Sequence, residues 1–151
     1  GHAGLMTRLV AQRATEEEIP LCAALYEKVL AETFTWVRPD RLPTAEDFLA
    51  DADYEDVYVA LVDEEIVGLA SMDSAANFLH SLYVSRRGHG VGKALLDHVC
   101  ARADGPVSLK VQAPNLRAEA FYRREGFHVL ARGADPGPGF PWLKMIRHKA
   151  D

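Results

Sequence analysis

Between Phe78 and Cys100 the chain reads Phe-Leu-His-Ser-Leu-Tyr-Val-Ser-Arg-Arg-Gly-His-Gly-Val-Gly-Lys-Ala-Leu-Leu-Asp-His-Val-Cys, a stretch that few folds can accommodate. Phe78 to Val84 is apolar and partly β-branched, as a buried strand requires. Gly88, Gly90 and Gly92 then alternate. Beyond them Val91, Leu95 and Val99 recur every four residues, with Leu96 and Cys100 beside them, as on one face of a helix. The order is therefore strand, glycine turn, helix. Glycine allows a sharp bend and lets another molecule come close to the backbone N–H groups. A helix opening at such a turn presents unpaired donors and roughly half a unit of positive charge, which suits a phosphate. Arg86, Arg87 and Lys93 add formal positive charge around it.

Two common phosphate-binding patterns fail here on spacing. The dinucleotide fingerprint needs its third glycine where Lys93 stands. The P-loop pattern needs glycine where Arg87 sits, and Ser or Thr in place of Ala94. What fits is Arg-x-x-Gly-x-Gly, filled by Arg87, Gly88, His89, Gly90, Val91 and Gly92. Further on stands Asn115-Leu-Arg-Ala118-Glu-Ala-Phe121-Tyr122-Arg-Arg-Glu-Gly126-Phe127. On these two blocks, in this order, the sequence resembles the GNAT superfamily of acyl-CoA-dependent N-acyltransferases. The resemblance covers Thr7 to Arg147, the first half by pattern alone.

The chain in order supports an interleaved fold. Thr7 to Ala14 reads as a first strand, and Thr15 to Glu18 as a capping box for a helix with Ile19, Cys22, Tyr26 and Val29 on one face. Thr33 to Pro43 is an aromatic connector whose prolines cannot continue that helix. Thr44 caps a second helix carrying Phe48 and Leu49, which runs out at the acidic segment Asp51 to Asp56. Strands follow at Val57 to Val62, Ile66 to Met72 and Phe78 to Val84, and after the third helix at Val107 to Gln112. The Asn115 helix stops at Gly126, a left-handed position. The last strands are Phe127 to Ala131 and Leu143 to Arg147, with Gly133 to Pro141 as loop between them. Alternating elements of this kind make an α/β fold. The resemblance implies a mixed, mostly antiparallel sheet of order β-α-α-β-β-β-α-β-α-β-β with about four helices. It also implies that the strands ending at Val84 and Gln112 splay apart around the cofactor.

At 151 residues the chain is sized for one domain, taken as residues 7–151, with residues 1–6 read as an expression remnant followed by the natural start Met6. Seventeen basic against 22 acidic residues give a net charge of −5, which disfavours nucleic acid as a partner. No apolar run reaches the ~20 residues of a membrane span, and no signal-peptide pattern opens the chain, so a cytoplasmic protein is expected. Cys22 and Cys100 fall on helical apolar faces without metal spacing, and read as reduced buried thiols. His89 and His98 lack ligand partners, so no metal is expected.

The resemblance implies acetyl-CoA as co-substrate. It places the pyrophosphate on Arg87, Gly88, His89, Gly90, Val91, Gly92 and Lys93, and the pantetheine arm along the backbone of Leu82, Tyr83 and Val84, the N–H of Val84 being a candidate oxyanion donor. Asn115 has two readings, a pantetheine contact or the N-cap of its helix. Tyr122 matches the family's general acid. Without the motif it would read as an amphipathic core aromatic. A phenol near ~10 stays protonated where a thiol near ~8.5 departs as thiolate. The base is open between His80, which strand alternation puts on the face of Leu82 and Val84, Asp73, and ordered water. Phe34 and Trp36 either line the acceptor pocket or plug the core edge. The expected activity is acetyl transfer to a primary amine, on a small molecule or a protein, by direct attack in a ternary complex, with a homodimer admissible. The competing reading is a non-catalytic acyl-CoA sensor of the same fold.

Overall fold

The structure, a computed structural model, describes residues 8–135 and 140–149. Gly1–Leu5, Met6 and Thr7 lie outside the described residues. Seven strands form one sheet in the order β1-β2-β3-β4-β5-β7-β6, over Leu9–Arg13 (β1), Asp56–Val62 (β2), Glu65–Asp73 (β3), Phe78–Val84 (β4), Val107–Gln112 (β5), His128–Ala134 (β6) and Pro141–Arg147 (β7). The helices are Ile19–Thr33 (α1), Ala45–Ala52 (α2), Val91–Arg102 (α3) and Leu116–Arg124 (α4), and a short 3₁₀ turn, Pro39–Arg41, occupies the connector. The chain therefore folds as the mixed, mostly antiparallel α/β sheet the sequence anticipates.

Strand alternation assigns the two faces. Tyr58, Ala60 and Val62 of β2 pack with Val91, Leu95, Leu96 and Val99 of α3 and with Tyr122 of α4. Val57 and Val59 point the other way, onto Cys22 and Ala23 of α1 and Phe48 of α2. The sheet is thus sandwiched, with α3 and α4 on one side and α1 and α2 on the other.

Every neighbouring pair of strands is antiparallel and paired along its length, with register shifts in β2–β3, β3–β4 and β6–β7, except β4 and β5. Those two run parallel and are bridged at one place, Phe78 opposite Ser108, beside the bond from the Ser108 N–H to the Asn77 carbonyl at 3.0 Å. Beyond it they part. Each is held on its far side, β4 by β3 and β5 by β7, so the gap opens inside a rigid sheet rather than at a frayed edge.

One loop boundary differs from expectation. Gly133 and Ala134 belong to β6 and Pro141 opens β7, while residues 136–139 of the expected loop lie outside the described residues. Gly133 sits beneath the Trp142 indole, where a Cβ would come within 2.5 Å of Cζ2, so its missing side chain serves packing and not a turn. Pro141 is tolerated because the first position of a strand can lack a ladder donor.

Candidate active site

The gap between β4 and β5 continues as a cleft of about 670 Å³ toward the start of α3. Its walls come from β4, β5, the glycine turn and α4, so the two sequence blocks meet there. Gly88, Gly90, Val91, Gly92, Lys93, Arg87, Leu82, Tyr83, Val84, Asn115, Tyr122, His80 and Phe34 all line it.

The backbone of β4 can be followed donor by donor. The Ser85 N–H donates to the Val67 carbonyl at 2.8 Å, which fixes Ser85 as facing β3. Because successive peptides point in opposite directions, the N–H and C=O groups of Leu82 and Val84 face the gap. Tyr83 is the exception to the expected trio. Its backbone belongs to the β3 ladder opposite Leu69, and only its side chain reaches the cleft.

At the glycine turn the donors are equally available. Among the described residues, no amide from 86 to 93 donates to a backbone carbonyl, and the first to do so in α3 is Ala94, to Gly90 at 3.0 Å. Gly88 and Gly90 have φ of 79° and 72°, in the left-handed region that glycine adopts without strain. A Cβ at either would meet nothing within 4 Å, so their outer surface is open to a ligand. Gly92 differs. A Cβ there would lie 3.2 Å from the Phe121 ring, so the third glycine lets α4 pack against α3.

The positive charge around this turn is smaller than the sequence suggests. Arg86 pairs with Glu65, and Lys93 with Glu125 at 2.9 Å and Asp97 at 3.3 Å. The hydrogen bond to Glu125, followed by that to Asp97, raises the Lys93 pKa, so its ammonium is held charged but engaged. Arg87 has no ion-pair partner among the described residues. The His89 side chain is exposed and does not line the cleft, and what this residue offers the turn is its backbone amide, which donates to no backbone carbonyl.

Tyr122 is 8% exposed and wedged edge-on between Phe121 and Phe127. Burial, and then the nearby phenol of Tyr83, push its pKa up, so it is a neutral donor throughout the physiological range. Asn115 caps α4, its Oδ1 accepting from the Ala118 N–H at 3.2 Å, and it also lines the cleft. Both of its readings are geometrically satisfied by one side chain.

His80 lies where β4 departs from alternation. Ser71 pairs with Ser81 and Met72 with Leu79, leaving His80 as the extra residue of a β-bulge. Consequently Leu79, not His80, joins Leu82 and Val84 on the α3 face, which corrects the expected alternation. His80 is re-aimed, and its Nδ1 engages the Glu55 carboxylate. Asp73 is not brought to the site. It closes its own turn by accepting from the Ala75 and Ala76 amides, at 3.1 and 3.3 Å. Phe34 is buried, edge-on to Trp36 and Tyr83. Trp36 stands outside the cleft wall and donates from Nε1 to Gln112 Oε1 at 2.7 Å, bracing a β5 residue that does line it. Glu55 was invisible as a site residue in the sequence, one acid among several in an exposed-looking segment.

A model of the acetyltransferase (GNAT) family matches residues 23–127. The peptidyl-lysine N-acetyltransferase YjaB of Salmonella typhimurium is 28% identical over 144 residues, spanning 89% of this chain and 95% of that protein. The solved structure of a histone acetyltransferase HPA2 and related acetyltransferase from Corynebacterium glutamicum superposes with a TM-score of 0.71 at 26% identity, over 95% of this chain and 97% of that one. The PaiA N-acetyltransferase of Thermoplasma acidophilum, solved in complex with coenzyme A, gives 0.72 at 15% identity, over 94% and 99% of the two chains.

Proposed function

Because the chain belongs to the GNAT acetyltransferase family, we propose that it moves an acetyl group from acetyl-CoA to a primary alkyl amine, by direct attack in a ternary complex and within a single domain over residues 7–151. The observation that carries this reading is the continuous line of free backbone donors and acceptors from Leu82 and Val84 to the mouth of α3, with the Tyr122 side chain in the same cleft. The amides of residues 88–93 and the Arg87 guanidinium would take the pyrophosphate. The outward-facing peptides of Leu82 and Val84, with Asn115, would take the pantetheine arm, and the Val84 N–H is the candidate donor to the carbonyl oxygen. Acetyl-CoA supplies the thioester.

Two proton tasks remain for the protein. An alkyl amine near ~10.4 is about three pH units from neutrality at pH 7.4, a cost of ~4 kcal/mol that a base must help meet. His80 is suited to accept that proton, since its Nδ1 is already committed to Glu55 and Nε2 is the ring nitrogen left over. Tyr122, held neutral, donates its proton to the departing sulfur. Direct transfer is supported by the cysteines: neither lines the cleft, both are buried, and burial pushes Cys22 up to about 12, far from a reactive thiolate. Phe34 would form the acceptor wall. The YjaB relative is named for peptidyl-lysine, and a lysine side chain is an alkyl amine of the proposed class.

The test is release of free CoA thiol when the protein is mixed with acetyl-CoA and a panel of amines. Release with at least one amine, together with a kcat roughly 10²-fold lower in Tyr122→Phe, is expected. Tight CoA binding with no release for any amine would replace this reading by the sensor.

A further inference from the structure

His80 stands between two hollows of opposite charge. The cleft carries Arg87, Lys110, Arg117 and Arg124, with Arg86 and Lys93 already in ion pairs, and Glu125 is the one acid in its wall. On the other side of the bulge, beneath α2, lies a second cavity of about 300 Å³ with no lysine or arginine in its wall. Glu55, Asp51, the hydroxyls of Ser71 and Ser81, and the rings of Tyr26 and Phe48 form it, and His80 lines both hollows.

Glu55 is the group that makes this cavity more than a cluster of acids. Its side chain is only 8% exposed, Oε1 engages His80 Nδ1, and Oε2 is buried with no hydrogen-bond partner. An unpaired buried carboxylate oxygen is costly, and so is a strong acceptor for a donor that enters. Tyr26 reports the sign of the local field. Burial first, then the carboxylates of Asp51, Asp47 and Glu55, push its phenol up to about 12. Negative potential at one hollow and positive at the other is the partition that a polyphosphate and a cation entering from opposite sides would need.

We propose that this cavity seats the acceptor as an alkylammonium, with Glu55 Oε2 and Asp51 taking the positive end and the Tyr26 and Phe48 rings flanking the methylene arm. The rings add cation–π attraction to the charge pairing. The chemistry after docking rests on the acyltransferase reading. One N–H bond of the ammonium breaks as its proton passes to His80 Nε2, leaving an imidazolium against the Glu55 carboxylate. The neutral nitrogen's lone pair forms the C–N bond as the thioester C–S bond breaks, and the sulfur leaves as the CoA thiol with the Tyr122 proton. The second N–H proton of the acylated nitrogen returns to the phenolate, so that one proton in all is released through His80. Glu55 is in this sense a positioning residue for His80 and a binding residue for the acceptor.

The experiment is a titration of ¹⁵N-labelled protein, with and without CoA, by butylammonium chloride and separately by butan-1-ol. Butylammonium is expected to shift the amides of Ser71, His80 and Ser81, and butan-1-ol to leave them in place. Glu55→Gln should weaken butylammonium at least about tenfold without changing CoA affinity, and Asp51→Asn, an exposed helix position, should weaken it by less. Equal binding of the alcohol, or unchanged affinity in Glu55→Gln, overturns the seat. Should Glu55→Gln fail to fold, Asp51→Asn and the alcohol comparison on the unaltered protein decide it. Failure of CoA to bind at all would sink the acyltransferase reading instead, and the CoA-free titration would still judge the cavity.

Discussion

Among the described residues four α-helices begin, and they do not all begin in the same way. In the turn ahead of α1 the Thr15 hydroxyl accepts from the Glu18 N–H at 3.3 Å and Glu18 Oε1 accepts from the Thr15 N–H at 2.9 Å, while Glu18, the N-cap residue itself, makes no side-chain cap. At α2 Thr44 and Asp47 exchange the same pair of bonds, at 3.2 and 2.8 Å. Asn115 closes α4. The start of α3 has no side-chain cap, and the residue in that place is Gly90 with φ 72°. A cap is worth about 1 kcal/mol, so leaving α3 open costs stability that the same chain secures at α2 and α4. The difference is what the proposed phosphate seat requires, since a side-chain cap there would occupy the amides that the ligand is to take. They are left bare where the parted strands lead.

Closing the open mouth should therefore have the largest effect. Gly90→Asp places a carboxylate where a Cβ meets nothing within 4 Å, and aspartate tolerates the left-handed backbone better than most residues. Stability is expected to change by less than about 1 kcal/mol. CoA affinity, read by calorimetry, should fall about 10²-fold from charge repulsion at the phosphate seat, with Gly90→Asn losing much less. Equal losses in the two variants would mean that backbone strain, not charge, is responsible.

Asn115 sits on the boundary between the two kinds of helix start, because it caps α4 and also lines the cleft. Asn115→Ala should lower stability by about 1 kcal/mol and also weaken CoA. Asn115→Asp keeps the cap, so thermal denaturation should barely move while CoA binding still weakens. If Asn115→Asp leaves CoA affinity intact, the residue is a cap only.

This contrast explains what could be read from the sequence. Capping boxes, the glycine turn and the strand periods are local, so they announced the main elements, while the roles of the Arg87–Lys93 turn and Tyr122 came through the family resemblance. The parting of β4 from β5 was legible only through family resemblance, since no property of Val84 or Gln112 states which strand stands beside it. The bulge at His80 left no mark, because it depends on the register between β3 and β4 and not on residue type. Glu55 shows the same limit. Burial of one acid among several is decided by how α2 hands over to β2. Asp73 was overestimated for the converse reason, as its aspartate chemistry serves a local turn.

Of the closed helix starts, Thr44 offers the simplest control. Thr44→Ala removes the acceptor for the Asp47 N–H and should lower stability by about 1 kcal/mol, measured by urea denaturation, with CoA affinity unchanged. A change in CoA binding would show that α2 is coupled to the cleft and would blur the distinction between the two classes of helix start.

The smallest expected effect separates the glycines of the open turn from one another. Gly92 lies within α3, where alanine is favoured over glycine by up to about 1 kcal/mol, but its Cβ would press on the Phe121 ring at 3.2 Å. The gain in helix propensity and the loss in packing are of similar size, so Gly92→Ala alone should shift stability by under about 1 kcal/mol. Phe121→Leu removes the ring edge that the new methyl meets. A double-mutant cycle should then show a favourable coupling of about 0.5–1 kcal/mol, which two independent sites would not have. Zero coupling would mean that α4 gives way freely. Gly92 would then have to be explained, like Gly88 and Gly90, by what approaches the turn from outside.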